Sequence, residues 1–338
     1  MISFSTWRHR SSRAFAFAGL VLSGFSAACA APPAPSASSV KLTRLDDRVR
    51  VEIDGHLFTE YRFRDTPKPY LYPIVDATGA TYTRNWPMKS VPGEVHDHDW
   101  HRSVWFAHGL VNGHDFWREL PDNKTGRIVY DGILEQRDGA TGLLRVRSQW
   151  ISGDGQPICT DETSYRFQRV PEGYFLDCEI TLIASHGQVV LGDTEEGALG
   201  VRVNEGIRLS VGKGKTRHRG TGHIVNANGD RDKVAWGKRA PWCDYSGTVD
   251  GRQIGIAIFD HPANPSHPTW WHVRDYGLFA ANPFGKHDFE KLKDQPDAGN
   301  ITIPADGHLT LRYRIFFHHG DESSARVADL YRAYTQGH

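Results

Sequence analysis

The sequence predicts an all-β fold, a large antiparallel β-sandwich with one C-terminal helix. Three observations predict it. Apolar residues recur with period two in segment after segment. Turn signals such as D-G-A-T-G, S-G-D-G and P-E-G separate these segments at hairpin spacing. No Gly-rich phosphate loop sits between a strand and a helix, so neither a nucleotide fold nor any other cofactor is expected.

The strands follow in order. V-R-V-E-I-D-G (49–55) alternates and ends on a turn, and Y-L-Y-P-I-V (70–75) runs apolar to a break. G-R-I-V-Y-D-G-I-L-E-Q (126–136), L-L-R-V-R-S-Q-W-I (143–151), T-S-Y-R-F-Q-R-V (163–170) and Y-F-L-D-C-E-I-T-L-I (174–183) read as successive hairpin strands. A-L-G-V-R-V (198–203), Q-I-G-I-A-I-F-D (253–260) and L-T-L-R-Y-R-I-F-F (309–317) complete the set. The single helix is D-E-S-S-A-R-V-A-D-L-Y-R-A-Y, with a Ser/Asp cap and with Val327, Leu330, Tyr331 and Tyr334 at helical spacing.

The chain has 338 residues, enough to bury a sizeable core, and 34 glycines consistent with many turns. A basic stretch, W-R-H-R-S-S-R, precedes an apolar run from Ala14 to about Ala28 and then a Pro/Ser/Ala tract. Residues 1–30 are read as a secretory signal peptide, 31–40 as a linker and 41–338 as one β-sandwich domain. Cleavage can follow Ala30, or Cys29 can carry a lipid, so the protein is expected in the periplasm or outside the cell. Removing Arg8, Arg10 and Arg13 leaves 37 basic against 40 acidic residues, which argues against a nucleic-acid partner. No apolar run of ~20 residues follows the signal, so no membrane span is expected. Cys159 and Cys178 fall on successive strands and can pair in an oxidising compartment, with Cys243 left over.

Long loops at 84–126, 212–247 and 260–300 stand out because they hold eight of the ten tryptophans. The first contains E-V-H-D-H-D-W-H-R-S-V-W-F-A-H-G, residues 94–109, dense in titratable groups. Histidine beside carboxylate suits proton transfer near neutral pH, and His96, His98 and His101 can also chelate a metal. In a strand, however, His96 and His98 share a face that His101 does not. The blander alternative is a loop bonded by its own carboxylates.

A second cluster, V-V-L-G-D-T-E-E-G-A-L-G-V-R-V (189–203), presents Asp193, Glu195 and Glu196 on a turn before Arg202. Such a turn serves equally as acid–base site or as surface bend with an ion pair. The third, residues 259–285, is a Pro-rich loop carrying His261, His267, Trp270, Trp271, His272, Arg274 and Asn282. Rigid aromatics next to directed hydrogen-bonding groups suit a sugar, whose C–H face stacks on a ring. Those tryptophans equally suit the end of a sandwich core. Trp236 and Trp242 can join the same rim.

Together D-H-D-W-H-R-S-V-W-F-A-H-G-L-V-N-G-H-D-F-W, G-D-T-E-E-G, W-G-K-R-A-P-W and D-H-P-A-N-P-S-H-P-T-W-W-H resemble a family of secreted bacterial proteins of unknown function. Its members often carry the label "methane oxygenase PmoA" (PmoA family). The resemblance covers about residues 56–320. Methane oxidation by the membrane enzyme requires several apolar spans, which this chain lacks. The resemblance implies a β-sandwich found among carbohydrate-degrading genes, and it points to His98, His101, Arg102, Trp105, His108 and Asn112. It also points to Asp193, Glu196, His261, His267, Trp271 and His272. Where the family reads D-H-P-H-H-R, Asp99 and Trp100 stand here in place of Pro and His. At the level of fold, the expected architecture is similar to the supersandwich of galactose mutarotases and several polysaccharide lyases.

The resulting expectation is a secreted carbohydrate-active enzyme working by glycosidic hydrolysis, β-elimination or sugar epimerisation. Catalytic candidates are His98, His101, His108, Glu196 and His272. Candidates for substrate binding are Arg102, Trp105, Asn112, Trp117, Asp193, Arg202, His261, His267, Trp271 and Asn282, with Trp105, Trp117 and Trp271 as stacking walls. The alternatives are a non-catalytic carbohydrate-binding protein and a metal-dependent enzyme using the first histidine cluster.

Overall fold

In a computed structural model of the protein, residues 38–121, 125–212 and 214–336 are described, together with Ala14. The signal and most of the linker read from sequence lie outside them. Early strands are β1 (Val40–Arg44), β2 (Arg48–Ile53), β3 (His56–Arg62), β4 (Tyr70–Leu71) and β5 (Val104–His108). Four long strands follow, β6 (Arg127–Arg137), β7 (Thr141–Ile151), β8 (Pro157–Val170) and β9 (Gly173–Ile183). Next come β10 (Val189–Leu191), β11 (Gly197–Arg202), β12 (Ser210–Val211), β13 (His218–Arg219) and β14 (His223–Asn226). The chain closes with β15 (Trp242–Val249), β16 (Arg252–Asp260), β17 (Trp270–Val273), β18 (Leu278–Asn282), β19 (Ile301–Ile303) and β20 (His308–His319).

These strands build two eight-stranded antiparallel sheets. The first runs β1-β2-β3-β4-β5-β11-β18-β17 and the second β14-β15-β16-β20-β9-β8-β7-β6. Alternation puts one row of side chains from each between the sheets. Phe106 meets Trp150 across the gap, Phe58 meets Phe167 and Phe317, and Phe279 meets Tyr245. The antiparallel β-sandwich read from the sequence is therefore the architecture of the protein.

The long loops are less loop-like than their sequence suggests. They contain β5 and β18 from the interior of the first sheet and β17 at its edge. V-W-F-A-H, W-W-H-V and L-F-A-A-N are buried at every position, because loops cover the outer face of this sheet as the second sheet covers the inner. A strand buried on both faces loses the period-two signature.

The C-terminal helix, α2, spans Val327–Gln336 and covers the outer face of the second sheet. Val327 and Tyr334 pack there with Phe175, Ala257, Phe259 and Phe316. A short helix, α1 (Lys286–Glu290), was not visible in the sequence. Cys159, Cys178 and Cys243 are all free and buried. Cys159 sits opposite Trp150 and Cys178 opposite Tyr165, so β8 and β9 do not bring the two sulfurs into register for a disulfide. No described helix is long and apolar enough to cross a membrane.

Candidate functional site

The outer face of the first sheet carries a set of polar residues unusual for a buried surface. Pairing sets Trp105 on β5 opposite Gly200 on β11, and His272 on β17 opposite Ala280 on β18. The pleat gives Arg202, two residues beyond Gly200, the same face. Glycine is required at 200, because a Cβ there would lie 2.6 Å from the Trp105 ring.

Residues 94–101 fold over this face as an irregular turn, not as a strand, so the period-two rule does not govern them. His98 has a positive φ of 45°, and its carbonyl accepts the His101 N–H at 2.9 Å. The turn brings the two imidazoles parallel, with centroids 4.8 Å apart and planes 10° apart. His101 stacks in turn on Trp105 at 5.2 Å, and His98 on Tyr276 at 5.0 Å. The result is a four-ring column, Trp105–His101–His98–Tyr276. His96 leaves the group and stacks on Trp86 at 3.8 Å. Among the described residues, no three His, Cys, Asp or Glu side chains are gathered to hold a metal ion.

Asp97 anchors the column from below. It accepts from Arg84 at 2.6 Å and Arg202 at 2.9 Å, and His98 Nδ1 lies 3.3 Å away. Both arginine side chains are fully buried. Burial opposes ionisation of Asp97, but the adjacent His98 ring and the two guanidinium charges outweigh it and hold the carboxyl well below its ordinary range. Arg202 also donates to His101 Nδ1 at 3.2 Å. Arginine has no acceptor, so Nδ1 is the unprotonated nitrogen and the His101 proton sits on Nε2. Burial, reinforced by Arg202, pushes the His101 pKa far down and keeps the ring neutral.

The turn before β11 adds the carboxylates. Asp193 is structural, accepting the backbone N–H groups of His287 at 2.7 Å and Gly299 at 2.5 Å. Glu196 accepts from Arg118 at 2.9 Å. The Glu195 carboxylate makes no hydrogen bond or ion pair with any described residue. Burial raises the pKa of both glutamates, opposed at Glu196 by Arg118 and at Glu195 by Arg274. Asn282 fixes this turn by donating to the Thr194 carbonyl at 2.8 Å.

His272 completes the group. Its Nδ1 lies 2.7 Å from the Glu195 carbonyl, which can only accept, so Nδ1–H is the donor. Burial lowers the pKa of this ring to about 3, leaving it neutral. Beside it opens a cleft of about 480 Å³ lined by Arg217, Lys233, Trp236, Arg274, Asp275 and Tyr276. Burial raises the Tyr276 phenol to about 12, with Arg274 and Arg202 opposing and Glu196 and Asp97 adding to the rise.

The three sequence clusters thus meet in part. His98, His101, Arg202, Glu196 and His272 share one face, with Trp105 and Trp117 packed beneath the rings. Trp105 and Trp117 are fully buried, so they support the histidines and do not form open stacking walls. Trp271 faces the inner core and donates to the Ala240 carbonyl at 2.9 Å. His108 also turns inward, its Nε2–H on the Gly192 carbonyl at 2.7 Å, and burial lowers its pKa to about 4. Arg102 pairs with Glu119, which also holds the buried Lys68. Asn112 clamps the backbone at Gln188 and Val190. His261 and His267 sit on the connection leaving β16 in the second sheet, where His267 bonds Asp260 at 2.7 Å and His261 abuts Tyr334.

Glu195, Arg274, Tyr276, Asp97 and Arg84 had no role assigned from sequence. Asp97 and Glu195 lay inside clusters already noticed, but nothing in the spacing distinguished a free carboxylate from a paired one.

Fold and face define a two-sheet antiparallel sandwich with a loop-built polar site on one outer face. The chain belongs to a family of unknown function, DUF6807, whose model matches residues 48–332. No curated protein matches it. Among solved structures, it is similar to a galactose mutarotase-like protein from Lactobacillus casei at 9% identity and a TM-score of 0.40, covering 82% of this chain and 100% of that one. A galactose mutarotase-like protein from Clostridium acetobutylicum matches at 11% identity and a TM-score of 0.38, covering 83% of this chain and 98% of that one. The heparan sulfate lyase HepC from Pedobacter heparinus matches at 9% identity and a TM-score of 0.36 over 83% of this chain. The match spans 35% of the lyase, about a third of its length. Likeness at these scores says nothing about activity.

Proposed function

We propose that the protein is an exported, single-domain carbohydrate-active enzyme that moves protons through the Glu195–Glu196 turn. The observation carrying this reading is Glu195. Its carboxylate is unpaired among the described residues, its pKa is raised by burial, its backbone carbonyl holds neutral His272, and it feels the charge of Arg274, which lines the cleft. A carboxyl whose pKa burial raises holds its proton more readily than an exposed glutamate does, the direction that suits a general acid. Glu196 is held by Arg118, whose charge opposes the rise that burial causes. Glycosidic hydrolysis, β-elimination and epimerisation all share such a proton transfer at a sugar carbon or glycosidic oxygen. The basic, apolar, then Pro/Ser/Ala-rich N-terminus supports export.

The test is turnover of a panel of oligosaccharides by the purified protein, read by new reducing ends, unsaturated products and NMR of the anomeric and neighbouring carbons. Glu195→Gln is expected to lower turnover by ~10²–10⁴-fold with an unchanged melting temperature. Full activity in that variant would sink the role of Glu195. Saccharide binding with no turnover in the wild type would instead identify a binding protein.

A further inference from the structure

The cleft beside Tyr276 has an unbalanced charge. Three cations line it, Arg217, Lys233 and Arg274, against the single carboxylate of Asp275. Asp275 is already engaged, since Arg217 pairs with it directly and Lys233 lies 3.2 Å away. Arg274 is left without an ion pair among the described residues. Its guanidinium lies over two rings, Tyr276 at 5.3 Å and Trp236 at 5.8 Å. Stacking fixes the plane of the guanidinium and leaves its edge of N–H donors for another partner. Glu195 is near enough for Arg274 to stabilise its charge, but it does not pair with it.

A planar, aromatic-braced guanidinium with no protein carboxylate is matched by an oxyanion, which it can grip with two parallel hydrogen bonds. Trp236 and Tyr276 add apolar ring surface of the kind that packs on sugar C–H faces. We propose that this cleft takes the anionic substituent, carboxylate or sulfate, of a saccharide, with Arg274 as its ion-pair partner. The assignment rests on the carbohydrate reading above and narrows it to acidic saccharides. Arg274 would then set specificity, and Glu195, whose charge Arg274 stabilises, would handle protons.

The experiment is calorimetric titration of the whole exported chain with three probes: an oligogalacturonate, a sulfated galactan oligosaccharide and cellohexaose. The first carries carboxylates only, the second sulfates only, and the third no charge. Tighter binding of one acidic probe than of cellohexaose is expected, and the preferred probe identifies the oxyanion. Arg274→Ala should weaken that probe by roughly 10- to 100-fold, the loss expected for charge-assisted hydrogen bonds, and leave cellohexaose unchanged. Arg274→Gln, which keeps a planar group over Trp236, should show the same loss if the alanine variant misfolds. Arg44→Ala removes another arginine without an ion pair among the described residues, on a different cleft, and should change nothing. Equal binding of all three probes, insensitive to Arg274, overturns the acidic assignment and leaves the carbohydrate reading standing. Acidic binding weakened equally by Arg44→Ala and Arg274→Ala is non-specific charge attraction and overturns it as well. Absence of binding to every probe overturns both the assignment and the reading beneath it.

Discussion

Replacing Asp97 by asparagine tests how the candidate site is held together. One carboxylate serves two guanidiniums that are fully out of solvent, Arg84 at 2.6 Å and Arg202 at 2.9 Å. Asparagine keeps the shape but removes the carboxylate with which both guanidiniums pair, and its amide NH₂ would face a donor. Breaking a buried pair by neutralising one partner costs ~3–5 kcal/mol, because the other charge stays buried. Asp97 is 19% exposed, so the lower end of that range applies, about 3 kcal/mol. With an m-value of ~3 kcal/mol/M for urea, the unfolding midpoint should fall by about 1 M. Asp99→Asn, which touches only the exposed Trp86 indole N–H, should shift stability by no more than ~0.5 kcal/mol. The pH dependence follows from the same carboxyl. Its folded pKa is depressed, so its contribution is complete above the unfolded value of ~3.9 and fades as pH falls through the folded value. The gap between wild type and Asp97→Asn should therefore be full at neutral pH and close on acidification below ~4. A variant within ~1 kcal/mol of wild type at pH 7 would refute the shared-anchor account.

Other perturbations read different parts of the molecule. Asp161 is buried between Trp150 Nε1 at 2.8 Å and Thr163 Oγ1 at 2.9 Å, and burial raises its carboxyl to about 6. Because that pKa is raised, stability should decline as pH climbs from ~4 through about 6, and Asp161→Asn should flatten this decline in urea melts across that window. Gly200→Ala pushes a methyl into the Trp105 ring and should cost ~1–3 kcal/mol; an unchanged melting temperature would mean the indole has room to move. In a Cys29→Ser chain, the buried thiols of Cys159, Cys178 and Cys243 should give no reaction with DTNB until the protein is unfolded, and a fast-reacting thiol in the native state would contradict their burial.

The alternating strands were legible because most of them are half-buried, and so were the sandwich and its C-terminal helix. What escaped were three strands of the first sheet, two in its interior and one at its edge. These strands, Val104–His108, Trp270–Val273 and Leu278–Asn282, are covered on both faces and read as apolar loop. The same concealment affected the site. His98 and Glu196 were visible as titratable groups in dense clusters, but pairing depends on partners far away in sequence. Glu119 neutralises Arg102 across 17 positions, and Arg202 meets Asp97 across 105. Neither spacing has a local signature, so an arginine with a partner and one without, Arg102 and Arg274, look alike in the chain.

The two outer faces of the sandwich are closed by different means, one by a helix and the other by long loops. A helix packed on Phe175, Phe259 and Phe316 changes only as a unit, since each residue answers to the next turn. The loops over the first sheet divide the labour instead: three rings of the column and Asp97 belong to one segment, Arg217 and Lys233 to another, and Arg274 with the fourth ring, Tyr276, to the turn between β17 and β18. Substitution at Arg217 or Lys233 can therefore alter the charge of the cleft while the column and the core keep their packing. Relatives of this protein have a route to diverge in what they recognise without having to fold differently.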